Sequence, residues 1–262
     1  MAGMGSALWS AAESLAMIGA GYLVAHGLGA ASSTRATGAV SLVVLGMINP
    51  HAALAAAREV GLRGPKLLAA KLSFNSLPYL VSIWFNSLAI LGVKVGGPYA
   101  AALTLVDVTE ILAGAIALRG TRVEPPSHAS WSTALRAALR STARAAGYLF
   151  PGVAIGTLLA HHASAWAPHG AVLGAFLVNP LAGCSVLAGL MERGALSPRE
   201  AYWVAILGAG AAYVGRLLRS CGPATLAVTG PRTGPWLSVA TTLVDVSLLL
   251  AFGWLIGALA FG

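Results

Sequence analysis

Gly170-Ala-Val-Leu-Gly-Ala-Phe-Leu-Val-Asn179-Pro180-Leu-Ala-Gly-Cys-Ser-Val-Leu-Ala-Gly-Leu-Met191 is an apolar run long enough to cross a bilayer, with a helix break in its middle. Proline removes a backbone donor and disturbs the carbonyl one turn earlier. In lipid, such a break survives only where neighbouring helices, side chains or water satisfy the freed groups. The run Thr37 to Ala57 carries the same interruption as Asn49-Pro50. Two broken apolar segments at matching places in two halves are the pattern of a transporter's substrate site.

The rest of the chain agrees with a membrane setting. It is 57% hydrophobic and 9% charged, with mean hydropathy +0.79, against about a quarter charged residues in an ordinary soluble domain. Eight apolar segments stand out, near residues 7–30, 37–57, 66–93, 98–118, 145–162, 170–191, 200–218 and 234–260. With no basic n-region or evident cleavage site, residues 7–30 read as a retained first span. The expectation is an all-α integral membrane protein of about eight transmembrane helices. They form two homologous four-helix repeats, residues 1–118 and 145–262, with broken helices at Asn49-Pro50 and Asn179-Pro180.

Residues 119–144 join them as a cytoplasmic linker, with Arg136, Arg140 and Arg144 on one helical face. That segment is either an interfacial amphipathic helix beside anionic headgroups or a charged run-in to the fifth span.

The net charge of +8 does not point to nucleic acid, because the basic residues lie between apolar runs and act as topology signals. Even connectors, Lys71 among them, hold eleven and odd connectors hold five, placing both termini in the cytoplasm of a multi-pass cell-membrane protein. Cys184 and Cys221 match no zinc or redox spacing and read as apolar thiols.

The internal repeat is literal in one place. Thr104-Leu-Val-Asp-Val108 recurs as Thr242-Leu-Val-Asp-Val246, and Gly97-Pro98-Tyr99 matches Gly234-Pro235-Trp236 just upstream. The offset drifts from 130 at Asn49/Asn179 to 138 at Asp107/Asp245, as small loop insertions would cause. Four spans per half make the repeats parallel, whereas one re-entrant segment per half makes them inverted.

Ionisable groups at membrane depth mark candidate sites. They are Glu13, Asp107 and Glu110 (three apart, on one face) and Asp245, where Leu248 replaces a second glutamate. These acids either bind the coupling ion, H+ or Na+, or hydrogen-bond the backbone of broken helices. Asn49 and Asn179 cap the half-helices that begin at the prolines, or present an amide edge to substrate. His51 and Asn75 are further substrate candidates, while Arg216 and Arg219 are an anion-facing pair or snorkelling arginines. His161, His162 and His169 read as a polar connector, so no metal site and no other cofactor is expected. No catalytic constellation is present: His-Glu-x-x-His, Gly-x-Ser-x-Gly, phosphate-loop and dinucleotide patterns are all missing from the sequence.

Asn179 to Ala201, reading Asn-Pro-Leu-Ala-Gly-Cys-Ser-Val-Leu-Ala-Gly-Leu-Met-Glu-Arg-Gly-Ala-Leu-Ser-Pro-Arg-Glu-Ala, resembles a segment of the nucleoside-recognition or gate-domain family. That family includes spore maturation proteins A and B and the gate domains of ferrous-iron transporters. The resemblance is clearest over residues 170–240 and implies two gate-like halves and a transport role.

The reading is a permease that moves a small polar solute, nucleoside-like or ionic, coupled to protons or sodium. The alternative is a non-transporting scaffold or signalling subunit. Expected partners are the bilayer, the solute, and a second copy or another membrane protein, with no nucleic acid.

Overall fold

The computed structural model describes residues 12, 15–16, 18–20, 22–23, 37–38, 42–43, 45–46, 49–74, 77–123, 130–165 and 171–262. Glu13, Asn75, His169 and most of the expected first span lie outside them. The described chain is helical apart from one two-residue pairing, β1 (Thr37–Gly38) antiparallel to β2 (Arg122–Val123). Its helices are α1 (Pro50–Glu59), α2 (Gly64–Leu72), α3 (Leu77–Leu118), α4 (Trp131–Ala165), α5 (Ala171–Val178), α6 (Pro180–Glu192), α7 (Pro198–Arg216), α8 (Gly222–Thr229) and α9 (Gly234–Phe261). A π-helical turn, Leu217–Cys221, joins α7 to α8.

Among the described residues, three helices are long and apolar enough to cross a membrane: Leu80–Leu118, Pro198–Thr229 and Gly234–Phe261. Their apolar side chains remain outside, with Val93 77% and Leu259 76% exposed, a surface suited to lipid rather than water. By length and composition this is a helical membrane protein.

The first of the three is bent back on itself. Gly92, at φ 70 and ψ 172, interrupts α3, and a Cβ on Gly96 would strike the Ser87 backbone. A straight helix holds residues nine apart roughly 13 Å from each other, so the chain reverses at Gly92. Gly230 takes the same conformation, φ 82 and ψ 171, between α8 and α9, and a Cβ on Gly234 would meet Leu226. Only glycine reaches this backbone region without strain. Each turn therefore joins a short arm to a long helix: residues 93–118, about 39 Å, and α9, about 42 Å.

The expected segment boundaries change accordingly. The stretch 94–97, with Gly96 and Gly97, was expected to be a connector, yet it lies inside the long arm, where small residues permit close approach. The expected connector after residue 218 is helical as far as Thr229. Arg136, Arg140 and Arg144 belong to α4, which continues from Trp131 to Ala165 as one helix.

Two apolar cores form. One gathers α1, α2, part of α4, α8 and Leu237 at the start of α9. The other gathers the middle of α3, Phe176 of α5, α6, α7 and Leu249 of α9. Three elements run from one core into the other: α3 from Val106 to Leu118, the α7–α8 segment from Tyr213 to Ala224, and α9 from Leu237 to Leu249.

Candidate functional site

A cavity of about 400 Å³ lies at the seam between the two cores, where those three elements pass. Its polar lining includes Lys71, Asp107, Glu110, Arg216, Thr241 and Asp245. The repeated sequence explains part of this. α3 and α9 pack together, and each carries one Thr-Leu-Val-Asp-Val copy, so Asp107 and Asp245 reach the same chamber. Asp107 and Glu110 are nearly sealed from the surface, at 6% and 4% exposure.

The carboxyls do not stand alone. Asp245 shares the lining of the chamber with Glu110, Arg216 and Lys71. A hydrogen bond between two carboxyl groups requires one of them to hold a proton. Lys71 Nζ donates to Thr241 Oγ1 at 2.7 Å, and Thr241 in turn donates to the Leu237 and Ser238 carbonyls. Arg216 lies 4.5 Å above the Tyr213 ring. Two cations and three carboxyls in low dielectric come to zero net charge when the carboxyls share one proton.

Of the expected substrate residues, His51 and Arg216 line the cavity, and all three described acids do. Asn49 does not line it; its Oδ1 accepts from Ala52 N at 2.9 Å and caps α1, leaving Pro50 and His51 to face the chamber. Asn179 is likewise a cap, accepting from Leu181 N at 2.8 Å, and it sits exposed away from the cavity. Arg219 is turned elsewhere too. Its guanidinium donates to the Leu177 and Val178 carbonyls, where Pro180 and the capped Leu181 N–H leave α5 open. That arginine seals a broken helix rather than facing an anion.

Lys71 is the residue the sequence reading misplaced. Counted as a connector charge, it belongs to α2 and lines the cavity. The signal was present: Lys71 falls inside the apolar run 66–93, where a lysine at membrane depth marks a site. Among the described residues, no three His, Cys, Asp or Glu side chains are spaced to hold a metal ion.

Compared with known proteins, the chain matches no family model, no curated protein and no solved structure.

Proposed function

We propose that this chain is a polytopic permease whose coupling site is the cavity at the seam, with a proton as the coupling ion. The observation that carries this reading is the meeting of both repeated aspartates, Asp107 and Asp245, with Glu110, Lys71 and Arg216 in one chamber. Charge that costly persists at membrane depth mainly along ion and substrate pathways. Glu110 and Asp245, lining one enclosed chamber, favour a proton over sodium, because two neighbouring carboxyls can share one proton through a hydrogen bond. Lys71 and Arg216 act as resident counter-ions, so a proton gained or lost changes the field on any solute beside His51.

The wider proposal is eight spans in two homologous four-helix repeats, of the gate-domain kind, moving a small polar solute. The matching turns at Gly92 and Gly230 support a duplicated plan. For orientation, setting aside Lys71 and Arg216 as cavity residues leaves ten basic residues in even connectors and four in odd ones. Cytoplasmic termini in a cell-membrane protein remain the proposal.

A second reading has an observation of its own. Both asparagines and Arg219 serve as caps, as in a scaffold whose breaks are only packing features. A thermal-shift screen of the purified protein against nucleosides, nucleobases, small anions and cations separates the two. The permease reading expects a concentration-dependent rise in melting temperature with one ligand class, abolished in Asp107→Asn. If hits persist unchanged in Asp107→Asn and in Lys71→Met, the cavity is not the site.

A further inference from the structure

We infer that the start of α4 and the neighbouring Leu23 form a binding site for an anionic phospholipid, independent of what the cavity carries. Residues along α4 advance about 100° each, so the helix presents three distinct lines. Ala134, Ala138 and Ala145 are buried and pack toward the protein. Trp131, Leu135 and Leu139, each four residues apart, are 65%, 48% and 58% exposed. Arg136, Arg140 and Arg144 form the next line round, also exposed. An apolar line bordered by a basic one is the pattern of a helix seated in the headgroup boundary.

A groove gives that pattern a shape. Leu23, Trp131, Ser132, Ala134 and Leu135 line an apolar cleft of about 390 Å³. Arg136 Nε donates to the Ser132 carbonyl at 3.3 Å, which holds its guanidinium beside the cleft. Arg140 follows one turn further on. An acyl chain in the cleft would leave a phosphodiester beside two or three guanidiniums, which pair well with phosphate oxygens. Trp131 at the edge supplies an amphipathic ring suited to the interface. The charge complementarity selects anionic lipid over zwitterionic lipid, and the cleft selects lipid over a free anion.

The test uses the full chain in an uncharged detergent with phosphatidylglycerol brominated on its acyl chains, which quenches nearby indoles. The Trp131 signal is isolated by subtracting the Trp131→Phe variant. Brominated phosphatidylglycerol should quench Trp131 at much lower mole fraction than brominated phosphatidylcholine, and added salt should weaken it. The triple variant Arg136→Gln, Arg140→Gln, Arg144→Gln should lose affinity on the order of a hundredfold, at roughly fivefold per arginine. The triple Arg→Lys variant keeps the charge and should retain most binding, which guards against a folding failure in the glutamine variant. Leu135→Gln should weaken binding with the arginines intact. Equal quenching by both lipids, no loss in the glutamine variant, or full competition by water-soluble glycerol phosphate would each overturn the proposal.

Discussion

The two Asn-Pro breaks have almost the same backbone and different fates. Asn49 sits at φ −150 and ψ 105, Asn179 at φ −156 and ψ 123, and each side chain caps the helix that follows. The helix after Asn49 is buried on all sides, with Ala52 to Ala57 inside the protein. Its first turn faces the cavity through Pro50, His51 and Leu54. The helix after Asn179 shows Leu181 and Val186 to the outside, and Arg219 closes the carbonyls before the break. One break opens onto a polar chamber and the other is sealed by a side chain. The same local signal thus yields a cavity wall in one half and a structural joint in the other, and what decides is the surroundings of the break.

Packing behind the sealed break gives the largest expected effect. The Phe176 ring lies against Gly183 and Gly208, where an added Cβ would overlap it. Gly208→Val should cost about 3 kcal/mol or more in thermal unfolding, while Gly210→Ala, with open space around it, should be close to neutral. Next comes Arg219→Ala, which strands two carbonyls of α5 and should cost about 2–3 kcal/mol. Arg219→Lys should recover only part of that, since a lysine cannot bridge both acceptors at once.

The turns test whether the halves share a plan. Gly92→Ala and Gly230→Ala should each cost about 1–2 kcal/mol for placing a Cβ at positive φ. Unequal losses would show that the two turns are not equivalent. The smallest effects are the most discriminating. Asn49→Ala and Asn179→Ala should each cost about 1 kcal/mol as lost caps. Of the two, Asn49→Ala alone should also weaken whatever ligand the thermal-shift screen finds, because only the helix it caps faces the cavity, through Pro50, His51 and Leu54.

Part of this was legible in the sequence. The repeated Thr-Leu-Val-Asp-Val segments pointed to Asp107 and Asp245, and the three-residue step to Glu110 put it on the same face. What the letters could not give was where each break points. Asn49 and Asn179 look alike because a cap is set by local backbone, whereas the chamber beside Pro50 arises from α2, α3 and α9 meeting it. Arg219 reads as a helix-end cation until the carbonyls it reaches, about forty positions away, are seen. Lys71 was passed over because basic residues near segment ends usually mark topology. Gly92 was hidden by the more turn-like Gly96-Gly97-Pro98 just after it.

The most direct test of the central claim is infrared spectroscopy of the purified protein at neutral pH, reading the carbonyl stretch of protonated carboxyls. A shared proton between Glu110 and Asp245 predicts a band that disappears in Glu110→Gln and in Asp245→Asn alike. The same charge balance predicts that Lys71→Met strengthens the protonated-carboxyl signal, since one fewer cation faces the same acids. An absent band, or one that survives both carboxyl substitutions, would contradict the account.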